Sequence, residues 1–124
     1  MIKKKILIAT GGTGGHIFPA YSLAKYLTGK DYNIELTSDK RGLKFFTERN
    51  KFRLIEIPSS PLLKKNIFKL FFSILINFYA TIKSLVFLVS NRPAIVFGVG
   101  GYSSFPVCIA AYFLKIKFVI YENN

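Results

Sequence analysis

Residues 6–16 read Ile-Leu-Ile-Ala-Thr-Gly-Gly-Thr-Gly-Gly-His, and Pro19 follows three residues later. A short apolar run rich in β-branched residues ends in four glycines, and the only histidine of the chain comes directly after them. The order predicts a buried parallel strand, a tight turn and the N-terminus of a helix. Such a turn leaves backbone N–H groups unpaired, and the helix dipole adds partial positive charge, so the stretch is suited to hold a phosphate or another anion. Glycine is required there by positive φ or by the need to let a ligand reach the backbone.

The spacing separates this turn from two better-known phosphate binders. The dinucleotide fingerprint needs G-x-G-x-x-G, but counting from Gly12 or Gly14 the third glycine position holds Ile17 or Pro19. The Gly-Lys-Ser/Thr ending of a P-loop is also absent. A second glycine turn, Gly98-Val-Gly-Gly101, follows another short apolar run. In a parallel sheet both turns fall at the carboxyl edge, where two nests of N–H groups can grip one diphosphate. The alternative is a pair of tight turns with no ligand. His16 has two readings from position alone: a neutral imidazole serving as general base beside a bound substrate, or a side chain that holds the loop in shape.

The rest of the chain alternates strands and helices. Strands are expected at 3–10, 32–37, 52–57, 94–97 and 118–121. Helices are expected at 16–28, from a cap at Ser38-Asp39 to about 50, at 62–90 and at 103–114, the last with Pro106 in its first turn. Phe18, Leu23, Ala24 and Leu27 form the expected buried face of the first helix, and Gly29 its stop. The fold class is therefore α/β, a Rossmann-like doubly wound parallel sheet in one domain, residues 1–124. Cys108 stands alone and reads as a small buried residue, and one Cys with one His makes no structural zinc site. Lys3, Lys4 and Lys5 imitate a signal peptide, but the apolar run behind them is too short, which predicts a cytoplasmic protein.

Eighteen Lys and Arg against six Asp and Glu give a formal charge of +12, which calls for anionic partners. The bases form no nucleic-acid-reading motif and are mixed with long apolar runs, so a membrane surface fits better than nucleic acid. The segment 62–90 sharpens this. Asn66, Lys69, Ser73, Asn77, Thr81 and Ser84 make one narrow polar stripe, and nearly everything else is Ile, Leu, Phe, Val or Tyr. Lys64, Lys65, Lys69 and Lys83 supply cations beside it. Three readings stand: a helix that packs on the sheet and dips into anionic lipid, a core helix covered by neighbours, or a transmembrane span, which would pull the βαβ unit apart.

Gly11-Gly-Thr-Gly-Gly-His16 with Pro19, then Gly98-x-Gly-Gly-Tyr102, then Glu122-x-Asn124 resemble, in order and over the whole chain, the N-terminal domain of the MurG family of bacterial UDP-N-acetylglucosamine transferases. The resemblance implies a GT-B glycosyltransferase whose N-terminal half receives lipid I, undecaprenyl-diphospho-MurNAc-pentapeptide, and whose C-terminal half binds most of the UDP-GlcNAc. It implies inverting transfer that makes lipid II for peptidoglycan, with no cofactor and no catalytic metal. By position His16 is the implied base, and Thr13, Gly14, Gly15, Gly100, Gly101, Tyr102, Ser103 and Asn124 the implied substrate site. The implied membrane contact, on the cytoplasmic face, takes in Lys64, Lys65, Ile67, Phe68, Phe71, Phe72 and Leu75. Two departures are plain: Ser104-Phe105-Pro106 replaces Ser-Gly-Pro, which predicts a narrower loop, and Tyr121 stands where the family has histidine.

The donor half has no counterpart in these residues. The chain is expected to be a fragment, inactive alone, or else the membrane-associated acceptor subunit of a split two-chain transferase. A non-catalytic membrane-surface domain is the third reading; a nucleotide-dependent dehydrogenase is disfavoured by the missing third glycine.

Overall fold

A computed structural model describes residues 4–12, 14–45, 52–59, 65–101 and 103–121, with only the backbone of 14–16 described. Among the described residues the elements are β1 (Lys5–Ala9), α1 (Gly14–Gly29), β2 (Asn33–Ser38), α2 (Lys40–Leu43), β3 (Arg53–Glu56), α3 (Ile67–Asn91), β4 (Ile95–Gly98), α4 (Ser104–Phe113) and β5 (Phe118–Ile120). All strands pair in parallel, in the order β3-β2-β1-β4-β5. The chain moves outward in one direction from β1 and in the other from β4, so the topological switch point lies between these two neighbours.

β1 is buried on both faces, as its unbroken apolar sequence requires. Ile6 and Ile8 join a cluster with Ile34, Leu36 and, from α1, Ile17, Ala20 and Ala24. Leu7 and Ala9 face the other way, into a cluster with Val96, Val107, Ala110 and, from α3, Ala80 and Leu88. Thus α1 covers one face, and α3 with α4 the other.

Two local expectations are corrected and one is met. Phe18 is exposed, and Ile17 takes the buried place on α1, because the helix begins two residues earlier than its apolar pattern suggests. α1 ends at Gly29 as expected, and the left-handed residue of the reversal is Asp31, at φ 72°, two residues further on. α2 is four residues long among the described residues; the rest of its expected range, 46–50, lies outside them.

From Ser73 to Ser84 the polar stripe of α3 faces inward, while Asn66 and Lys69 at its start are exposed. Ser73 and Ser84 are 2% and 1% exposed, whereas Phe68 and Phe78 on the opposite side are 74% and 66% exposed. The inner polar groups bond within their own helix: Asn77 Nδ2 donates to the Ser73 carbonyl at 2.8 Å, Thr81 Oγ1 to Asn77 at 2.9 Å and Ser84 Oγ to Ala80 at 2.7 Å. Backbone carbonyls so used let small side chains pass close to α4 without stranding a hydroxyl. In the N-terminal part of the helix the large apolar side chains, Phe68, Phe71, Phe72 and Phe78 among them, are left outside, whereas Leu88 near its end is buried.

The two ends of α3 differ. At its C-terminus Arg53 Nη1 donates to Asn91 Oδ1 at 2.9 Å and to buried Glu35 Oε2 at 3.0 Å, and the Arg53 guanidinium stacks over Phe87. This fastens the helix end to the strand starts. Twenty-five helical residues reach about 37 Å, against roughly 17 Å for the five residues of β1. The N-terminal half of α3 therefore overshoots the carboxyl edge of the sheet, the edge that carries both glycine turns.

Candidate functional site

The first glycine turn leaves β1 and the second leaves β4, two adjacent strands in which Ala9 is opposite Gly98. Their backbones touch. A Cβ on Gly101 would collide with the Gly11 carbonyl oxygen and lie 2.8 Å from the Gly11 carbonyl carbon, and Gly101 has φ +85°. Both the close approach and the left-handed backbone exclude a side chain here. Ser103 completes the brace: its hydroxyl donates to the Thr10 carbonyl at 2.6 Å, and a Cβ on Gly11 would overlap it.

Ser103 is fully buried, so its hydroxyl stands behind the loop rather than beside a ligand. Ser104 Oγ donates to the Gly101 carbonyl at 2.8 Å and closes the second turn onto the start of α4. Gly100, also left-handed, and Gly101 are half exposed at the lip of this turn.

Asp39 is the residue that sequence reasoning placed only as a helix cap. It does cap α2, accepting from the Gly42 N–H at 2.8 Å, and the same Oδ1 accepts from the Gly12 N–H at 3.1 Å. One carboxylate thus joins the end of β2 to the glycine turn after β1. The amide of Gly12 is thereby occupied, and among the described residues that follow it the N–H groups left for an anion are those of the first turn of α1, where the first four amides of a helix have no partner within it. Gly14, Gly15 and His16 form that turn in backbone terms. No signal in the sequence separates an Asp that caps from one that also reaches across to a neighbouring loop.

Thr13, Tyr102 and Asn124 lie outside the described residues, as does Lys64. The other expected membrane-contact residues, Lys65, Ile67, Phe68, Phe71, Phe72 and Leu75, are all exposed. Cys108 is buried beneath Gly98, and desolvation pushes its thiol up to about 11, which makes it a packing residue rather than a nucleophile. Among the described residues no cluster of His, Cys, Asp and Glu is arranged to hold a metal ion.

The description "Glycosyltransferase family 28 N-terminal domain" matches residues 6–124. The chain belongs to that family. This family 28 domain is 34% identical over 123 residues to the UDP-N-acetylglucosamine–N-acetylmuramyl-(pentapeptide) pyrophosphoryl-undecaprenol N-acetylglucosamine transferase of Pelagibacter ubique, covering 99% of this chain and 34% of the relative. To the transferase of the same name from a Wolbachia of Drosophila simulans it is 40% identical over 121 residues, covering 96% of this chain and 32% of the relative. The crystal structure of Acinetobacter baumannii MurG superposes with a TM-score of 0.76 at 23% identity, over 94% of this chain and 34% of that one. The family 28 domain therefore spans about a third of the length of the curated relatives it matches. The Rossmann-like fold of a GT-B N-terminal domain, and the MurG resemblance drawn from the glycine turns, are both met by these relatives.

Proposed function

We propose that this chain is the acceptor-binding half of an inverting glycosyltransferase that moves GlcNAc from UDP-GlcNAc to the C4 hydroxyl of undecaprenyl-diphospho-MurNAc-pentapeptide. The product is lipid II for peptidoglycan. One observation carries the reading: two glycine turns braced backbone to backbone at the switch point of a parallel sheet, beside the N-terminus of α1. Family membership and the names of the relatives support it.

In this reading the amides from Gly14 and Gly15 onward and the lip formed by Gly100 and Gly101 flank the acceptor diphosphate, with Thr13, Tyr102 and Asn124 completing the site. Ser103 positions the second turn from behind. His16, in the first turn of α1, takes the proton of the C4 hydroxyl as its oxygen attacks the anomeric carbon. The bond from that carbon to UDP breaks, UDP leaves and the configuration inverts. The helix N-terminus favours the neutral imidazole this role needs. UDP-GlcNAc is held by a second half, so the chain alone turns nothing over. The exposed apolar face of α3, with Lys64 and Lys65 at its start, rests on the anionic cytoplasmic face of the membrane as a peripheral contact.

Equilibrium binding of a short-chain lipid I analogue to the chain in anionic nanodiscs tests this reading. Saturable binding that a prenyl diphosphate competes away is expected; no binding refutes it. When the donor-binding half of a relative is supplied, His16→Ala should cut transfer of labelled GlcNAc at least about a hundredfold while acceptor binding persists. Unchanged transfer assigns His16 to the loop scaffold.

A further inference from the structure

Arg41 lies in the first turn of α2, on the strand-end edge that carries both glycine turns. Its Nη2 is 3.8 Å from the position a Cβ would take on Gly12, and among the described residues it is the only side-chain atom within 4 Å of that point. Among the described residues its ion-pair partner is Asp39, with Oδ2 at 3.9 Å, beyond hydrogen-bond distance, and its side chain is 69% exposed. The guanidinium thus stands beside the turn, paired by charge with Asp39 and open to the surroundings.

Asp39 gives the arrangement a reason. Its carboxylate fixes the turn by accepting the Gly12 and Gly42 amides, which places a negative charge at the mouth of an anion site. Such a charge opposes any phosphate unless a cation stands next to it. Arg41 is that cation, and a planar guanidinium can offer two parallel donors to phosphate oxygens where an ammonium offers a point charge. Resting on the proposed function, we infer that Arg41 is a further substrate-binding residue, donating to a lipid-borne diphosphate seated between the glycine turns and the first turn of α1. The lipid-borne source is favoured over a free nucleotide because the apolar N-terminal half of α3 overshoots the same edge.

The test is binding of farnesyl diphosphate, and separately of UDP, to the full chain in anionic nanodiscs. Arg41→Gln should weaken farnesyl diphosphate binding about tenfold, the loss of one charge-assisted contact, and Arg41→Lys should recover part of it. Lys40→Gln removes the same charge one residue away and should change binding less than about twofold. Thermal midpoints of all three variants should match the parent, since the side chains are exposed. Equal effects of Arg41→Gln and Lys40→Gln overturn the inference in favour of net charge alone, and an effect confined to UDP overturns the lipid-borne assignment. Binding by the parent that Arg41→Gln leaves intact overturns the role of Arg41 but not the proposed function. Failure of the parent to bind either probe overturns both.

Discussion

The glycine edge and the outer face of α3 are built on opposite plans. At the edge, backbone meets backbone: Gly11 lies against Gly101, Ser103 bonds to the Thr10 carbonyl, and Asp39 accepts the amide of Gly12. Hardly an atom there can change without moving the turn. On α3 the neighbours are side chains, and the large ones touch little. Phe71 and Phe72 stack edge to face and are otherwise turned to the surroundings. The contrast teaches that one domain can hold a site rigid by removing side chains and leave a surface adaptable by adding them. The first plan suits a ligand of fixed shape and charge, and the second an environment with no fixed shape.

Substitution can break that contrast. The largest effect is expected on the outer face: Phe71→Asp with Phe72→Asp should cost about 4 kcal/mol of partitioning into anionic vesicles, measured by co-sedimentation, with helix content unchanged by circular dichroism. Ser84→Leu on the inner face should do the reverse, destabilising the fold by overpacking against α4 while leaving vesicle binding alone. If the inner substitution abolishes vesicle binding and the outer pair does not, the orientation of α3 is wrong.

Gly101→Ala comes next. A left-handed backbone and an overlap with Gly11 together should lower stability by about 3 kcal/mol, read from the urea midpoint in lipid-like detergent. A shift under about half of that would mean the turns are free to separate. Ser103→Ala is the mildest, about 1–2 kcal/mol for the loss of one buried hydrogen bond. It should also weaken acceptor-analogue binding, because the second turn loses its tie to the first; unaltered binding would make the brace purely structural.

Most of the fold was legible because its signals are local. The unbroken apolar run of β1, the glycine turns and the alternation of strand and helix each depend on residues a few positions apart. The excess apolarity of residues 62–90 was equally visible. Its direction was not: a polar stripe usually faces water, and here it faces a neighbouring helix, because small side chains bonded to their own backbone pack closely. The long-range links were hidden for a different reason. Asp39 to Gly12 spans 27 positions and Ser103 to Thr10 spans 93, and nothing in either sequence neighbourhood names its partner. Arg41 was overlooked with them, since its position follows from that of Asp39.

The link between Arg53, Asn91 and Glu35 has a mechanical consequence. A rod held along its inner side and extending past its support transmits load to that support, and α3 is held by its packing on the sheet and α4 together with the polar link at the strand starts, the far side of the sheet from the glycine turns. A pull on its outer end is resisted at the foot of the sheet and along the face that packs on α4. The number of helical turns between foot and tip then sets a fixed reach, so whatever holds the tip is kept at a constant height from the edge where chemistry would occur.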